Sequence, residues 1–335
     1  MMSNPFFLLS ILISAFLAFS TCAFIVEMGI RIFQIKKYRI RSILRLLPFF
    51  SLSIDFIINR FSIGNWLNPL SCDSCVQKFV LQVFFPNLKK YLTDNEISLI
   101  EYLAIDDFNA LFSSIFILFC CVTGYFLVSK MLEIFLTCRS LYLMENRGTF
   151  YKITIQNKRL EEALIKEKVQ LLMNQEIQMP LVGYNSIIFF PSHITKTLSS
   201  DELEAVIAHE LEHLRSKDFF IKVFCQMIAA LAWWIPLKSW MKTIEQEIEL
   251  ACDHGTAKYG AQFESLASAM LKLVKEPSKQ WMEEVCYFTD HRNPVLVRIQ
   301  VLLGISPTKQ KNLLWSTGIG LAIGFVILFG CIKYL

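Results

Sequence analysis

The sequence contains no internal repeat and no low-complexity tract, which sets aside repeat arrays and long disordered tails. It lacks a charge imbalance: a net +4 over 335 residues is too small to mark a nucleic-acid binder, so the placement of Lys and Arg matters more than their sum. Residues 1–5 carry no positive charge, and no small-residue cleavage site follows. The apolar segment behind them is therefore expected to be a retained anchor and not a cleaved signal. Most telling, residues 6–26, 108–129 and 313–332 contain no Asp, Glu, Lys or Arg at all. Each is long enough to cross ~30 Å of hydrocarbon as a helix of ~20 residues. Hydrophobic residues make up 54% of the chain, more than an ordinary globular domain carries, and Phe is heavily used.

Charge placement orders these segments. Arg31, Lys36, Lys37, Arg39, Arg41 and Arg45 follow the first, and Arg139, Arg147, Lys152, Lys158 and Arg159 follow residues 108–129. Basic flanks mark the cytoplasmic side. Both can be cytoplasmic only if a shorter apolar stretch between them, residues 46–58 with Asp55 inside it, also crosses. The expected organisation is an N-terminus outside and a membrane region over 1–136, with an outer loop at about 60–107. A cytoplasmic domain over 137–311 and a last span at 313–332 follow. Of ten cysteines, most sit in apolar runs as small hydrophobes. Cys72 and Cys75 fall in the outer loop, where a disulfide is chemically reasonable; no second pair lies near to make a four-thiolate zinc site.

The chemistry concentrates at His209, Glu210, Leu211, Glu212 and His213. Ser199 with Glu202 three residues on fits a capping box, so a helix is predicted from there to about Ser216, with acids at its positive end. Histidines four apart on a helix project from one face and can hold one ion. Glu210 can then reach a water activated by that ion and act as general base without ligating. Leu203, Val206, Ile207, Leu211 and Leu214 give the helix an apolar stripe to pack.

A catalytic zinc takes three protein ligands and keeps one position open. Candidates for the third are Asp253, His254, Glu245, Glu247 and Glu249; Glu249 with Asp253 one turn later is the most economical pairing. Asp253 would then orient a ligand histidine through its second ring nitrogen, and Asp218 is another candidate for that task. Residues 219–237 carry no charge except Lys222. Were they a lone spanning helix, Glu249 would sit ~20 Å or more from the histidines. The chain must instead go out and return, with Pro236 as the break and Trp233, Trp234 and Trp240 as an interfacial tip. Residues 175–180 and Ile187–Pro191 read as two short strands around a turn at 183–186, whose edge could bind an extended peptide.

The combination of His209-Glu-Leu-Glu-His213 through Asp218, Trp233-Trp-Ile-Pro-Leu237 and Glu249-Leu-Ala-Cys-Asp253 resembles the integral-membrane zinc metallopeptidases of the beta-lactam sensor and antirepressor type. Pro180-Leu-Val-Gly183 with Ile187-Ile-Phe-Phe-Pro191 is similar to the strand pair before their zinc helix. Asn293-Pro-Val-Leu-Val-Arg-Ile299 resembles their later His-Pro and Arg-Ile element, with Asn in place of His. The resemblance covers roughly residues 175–302. It implies a multi-pass α-helical membrane protein with an α+β, gluzincin-like zinc metalloprotease domain, in a bacterial inner membrane with the catalytic domain on the cytoplasmic side. It implies one zinc per chain, His209, His213 and Glu249 as its ligands, and Glu210 as general base. The partners implied are a protein or peptide substrate and the lipid bilayer. His254, His291 and Arg298 are candidate donors to the transition state. The penicillin-binding sensor of the family is expected to be absent after Leu335. Two other readings stand beside it: a zinc-dependent signal transducer that cleaves nothing, and a heat-shock or prenyl-processing type of membrane metalloprotease.

Overall fold

Among the described residues, the first two uncharged runs lie within long helices, and a smaller mixed unit accompanies them. The computed structural model describes residues 7–61, 94–150, 154–175, 177, 179–183, 185–275 and 294–305. Cys72, Cys75, His291, Asn293 and the expected span at 313–332 lie outside the described residues.

Helix α1 (Phe7–Ile32) is followed by the short α2 (Tyr38–Leu44) and by α3 (Leu47–Phe61), which folds back along α1. Ala15 and Ala23, both fully buried, let the two helices approach, and Phe19 meets Phe49 edge-on at 6.1 Å. Helix α4 (Asp94–Arg147) is 54 residues long, about 81 Å at ~1.5 Å per residue. It continues well past both ends of the expected span at 108–129. Lys130 and Glu133, which end the uncharged run, pair across one helical turn on its surface. Charges end a hydrocarbon span, but they do not end a helix. Two described helical segments are long and apolar enough to cross a membrane: Ser14–Ile32 and Ser114–Arg147.

A four-stranded sheet follows: β1 (Thr149–Phe150), β2 (Gln170–Asn174), β3 (Leu181–Val182) and β4 (Ile187–Pro191), in the order β1-β2-β4-β3. The central pair β2 and β4 is parallel, with Leu172 opposite Phe189, and β1 and β3 add antiparallel edges. The strand read at 175–180 is thus displaced: pairing falls on Gln170–Asn174 and on Leu181–Val182 instead. Pro180 has no N–H to give a ladder, so the chain loops there and re-enters the sheet one residue later. Between β1 and β2, Asn157 caps helix α5 (Lys158–Lys166) by accepting from the Arg159 N–H at 3.1 Å.

After a single turn of helix, α6 (Ile194–Thr197), comes α7 (Ser200–Ser216), opened by the capping box. Ser199 N–H donates to Glu202 at 2.8 Å and Glu202 N–H donates to Ser199 Oγ at 3.4 Å. Leu203, Val206, Ile207 and Leu211 are buried against β4, α5 and helix α10 (Phe263–Lys275). Lys217, in the left-handed region at φ 56°, ends α7 and begins α8 (Asp218–Leu231) in the same residue. That conformation costs ~1–2 kcal/mol for a side chain larger than Gly. It buys an immediate corner that places Asp218 back beside α7.

Helix α8 and α9 (Lys238–Gly255) form a hairpin joined at 232–237, which matches the return required by chain reach. Its tip corrects one expectation. Trp240 is buried, packs on Phe19 at 5.8 Å and donates Nε1–H to the Arg45 carbonyl at 2.8 Å, so it belongs to the core between hairpin and α1–α3. Trp233, part-exposed, donates to Thr123 Oγ1 at 3.1 Å and stacks on Phe126 of α4. Gly255 closes α9 where a Cβ would meet Glu212 Oε2 at 2.5 Å, so only glycine lets α9 come this close to α7. A 3-10 turn (Thr256–Tyr259) leads to α10, and α11 (Pro294–Leu302) packs on α10 and α9.

Candidate metal centre

Helices α7, α8 and α9 each deliver one part of a compact polar cluster. His209 and His213 stand one turn apart on α7, their Nε2 atoms 3.1 Å from each other. Glu249 Oε2, from α9, lies 3.6 Å from His209 Nε2 and 3.5 Å from His213 Nε2. A tetrahedral ion with bonds of ~2.0–2.2 Å separates its ligand atoms by roughly 3.3–3.5 Å. The three observed separations match that edge length to within a few tenths of an ångström. The donor set, two imidazoles and a carboxylate, is one that zinc accepts. These residues therefore fit a zinc ion.

The opposite ring nitrogens are also engaged. His209 Nδ1 lies 3.0 Å from Asp253 Oδ1, and His213 Nδ1 lies 2.9 Å from Asp218 Oδ2. The His213 ring hydrogen-bonds Asp218 through Nδ1, and Asp253 stands at ion-pair distance from His209 Nδ1. Each ring, when neutral with its proton on Nδ1, would offer its Nε2 lone pair to the shared point. Asp253 is fully buried and Asp218 nearly so. Arg298 of α11 grips Asp253 with two donors, Nε at 2.8 Å and Nη2 at 2.6 Å, and places Nη1 3.1 Å from Glu249 Oε2. Lys222 Nζ approaches the other Glu249 oxygen at 3.6 Å.

The electrostatics follow from this packing. Burial alone would raise the Glu249 carboxyl, but the two histidines and Arg298 outweigh it and hold it well below the usual carboxylate range. Burial likewise opposes charge on Asp253, and Arg298 with His209 overcomes it, so its value falls. For His209 and His213 burial works against the imidazolium, while Asp253 for one and Asp218 for the other raise them. Cys252 is pushed up to about 12, by burial before all else, and is a neutral thiol. It lies 3.4 Å from both His213 Nδ1 and Asp218 Oδ2. His213, Asp218 and Cys252 are close enough together to suggest a second ion site. One imidazole cannot give Nδ1–H to Asp218 and a lone pair from the same atom, and a protonated thiol is a poor ligand. That trio supports His213; it is not a second centre.

The structure thus brings together His209, His213, Glu249, Asp253, Asp218 and Arg298. Glu210 lies half-buried on α7 beside His209, close enough to Arg298 to act on its charge. His254 is turned elsewhere: it is exposed, its Nδ1 meets the Leu250 carbonyl at 3.0 Å, and its ring packs on Tyr38 and Phe263. Glu247, weighed as a ligand, is buried on another face of α9 against Arg41 and Arg45. Sequence reasoning missed Cys252, Lys222 and Arg39. Only Cys252 had a signal, its place between Glu249 and Asp253.

Two histidines a turn apart and a carboxylate from a second helix form a zinc donor set, and a glutamate beside the first histidine is the arrangement found in zinc metallopeptidases. Residues 89–302 match the family described as BlaR1 peptidase M56, and the chain belongs to that family. A relative, the regulatory protein BlaR1 of Bacillus licheniformis, is 31% identical over 101 residues. That match takes in 29% of this chain and only 17% of the relative.

Proposed function

We propose that this chain is a zinc-dependent membrane endopeptidase that cuts a protein substrate at the cytoplasmic face, in a regulatory role. One observation carries the reading: Nε2 of His209, Nε2 of His213 and Oε2 of Glu249 converge at zinc-like separations, with Glu210 next in sequence to the first. Zinc held there would supply Lewis acidity and make water a source of hydroxide near neutral pH. Glu210 takes the proton from the attacking water and passes it to the leaving amine. Asp253 and Asp218 hold the two rings, and Arg298 keeps Asp253 charged in a buried place. The outer edge of β3, beside α7, offers main-chain groups to an extended substrate.

The membrane reading rests on the two apolar helical segments and on the basic residues that follow α1. The most apolar stretch of α4 has no fully buried residue and leaves much of its apolar surface exposed beside the contact with Trp233, as a lipid-facing helix would. Since α2 packs on α9, the basic flank and the metal centre share one side, which favours a cytoplasmic centre. The test is proteolysis of co-expressed membrane and cytoplasmic proteins by wild type and Glu210→Gln. Cleavage products that depend on Glu210 support the reading, and undiminished cleavage by the variant overturns it.

A further inference from the structure

The basic segment after α1 does more than mark a side of the membrane. Arg39, on α2, donates Nη1–H to Asp218 Oδ1 at 2.8 Å. The other oxygen of that carboxylate faces His213 Nδ1 at 2.9 Å. Guanidinium, carboxylate and imidazole form one line from the N-terminal region to the ligand histidine, joining residues 179 positions apart. Asp218 is buried, with its side chain 3% exposed, while Arg39 is 30% exposed. A buried carboxylate is costly unless its oxygens are hydrogen-bonded, and those bonds hold it in one rotamer. With Oδ1 fixed by Arg39 and Oδ2 on the ring, the Asp218 carboxylate plane is set, and with it the tilt of His213.

A separate set of contacts fastens the same helix to the other ligand-bearing element. Arg41 Nε lies 2.8 Å from Glu247 Oε1, and Arg45 contacts Glu247 as well. Arg45 also donates Nε–H to Glu27 of α1 at 2.6 Å. Glu247 is fully buried and stands two residues before Glu249 on α9. Helix α2 therefore holds the α7–α8 corner through Asp218 and α9 through Glu247, one on each side of the ion site.

We propose that Arg39 is a positioning residue of the metal centre, acting through Asp218 on His213, so that metal affinity depends on the docking of α2. The proposal rests on the zinc reading above. The experiment measures zinc affinity of the full-length protein in detergent, by competition with a chromogenic chelator. Loss of a partner that orients a ligand histidine typically weakens metal binding ~10–100-fold. Arg39→Met is expected to weaken zinc by about tenfold or more, and Arg39→Lys by less, because a point charge replaces only part of the fork. Lys37→Met removes the same charge from an exposed neighbour and should leave affinity unchanged.

In an Asp218→Asn background, Arg39→Met should add little further loss, since the line is already cut. Should Arg39→Met fail to fold, Arg39→Lys alone and in the Asp218→Asn background carries the same comparison. Zinc affinity of the Arg39 variants within twofold of wild type, or losses from Arg39 and Asp218 that simply multiply, would overturn the proposal while leaving the zinc centre intact. A wild-type chain that takes up no zinc would overturn both.

Discussion

Asp253 serves two groups at once, which makes it the most informative residue to change. It faces His209 Nδ1 at 3.0 Å and takes two hydrogen bonds from Arg298, at 2.8 and 2.6 Å, in a fully buried position. Asp253→Asn keeps the shape but removes the charge. An amide cannot accept from both partners as a carboxylate does, and Arg298 is left with Glu249 as its nearest anion. Breaking one side of a buried pair costs ~3–5 kcal/mol. Arg298 retains some solvent, with 18% of its side chain exposed, so the low end applies, about 3 kcal/mol in stability. Loss of the group orienting His209 adds a separate ~10–100-fold fall in zinc affinity, about 1.4–2.7 kcal/mol of binding. The two effects are separated by thermal unfolding of detergent-solubilised protein with and without zinc, beside a chelator titration. Zinc added well above its dissociation constant raises the midpoint of both proteins, and less for the variant at equal zinc. A variant with wild-type zinc affinity and an unmoved unfolding midpoint would refute the idea that Asp253 supports His209 and neutralises Arg298.

Two further outcomes follow from groups away from the ion. Burial tends to raise the Glu202 carboxyl, but Lys272, Ser268 and the Ser199 N–H outweigh it and bring it to about 2. A carboxyl lowered on folding stabilises the fold above its unfolded value, near ~4.3, and loses that contribution as pH falls toward 2. The unfolding midpoint should therefore drop more steeply between pH 4.5 and 2 for wild type than for Glu202→Gln, as followed by circular dichroism; parallel profiles would contradict it. Gly255→Ala places a methyl against Glu212, whose carboxylate already accepts from Tyr259 and Lys258. Overpacking of this kind costs ~1–3 kcal/mol, and the same thermal scan measures it.

What could be read from the chain was local or set by chain reach. The capping box at Ser199 and Glu202 uses residues three apart, and the histidine pair uses four, so both are written into one helix. The need for a returning segment followed from the ~2 Å bond length set against ~1.5 Å of rise per residue, and it singled out α9. What escaped depends on contacts distant in sequence. Nothing around Arg39 distinguishes it from Lys36 or Lys37; only docking of α2 across 179 positions makes it a partner of Asp218. Trp240 was read from composition as an interfacial anchor, yet the hairpin turns it onto Phe19 and the Arg45 carbonyl. The first strand is expected a few residues late because Ile177 and Met179 alternate with polar residues as a half-buried strand would, while the ladder ends at Asn174 and resumes at Leu181.

The central claim is that α7 and α9 together make a three-ligand zinc centre. It is tested most directly by counting zinc in the purified, full-length protein and in Glu249→Ala, with Glu210→Gln as the companion. The account expects about one zinc per chain in wild type and in Glu210→Gln, and a severe loss of metal in Glu249→Ala, whose two histidines alone make an incomplete site. Full zinc occupancy in Glu249→Ala at the same affinity, or no zinc in wild type under metal-replete conditions, would contradict it.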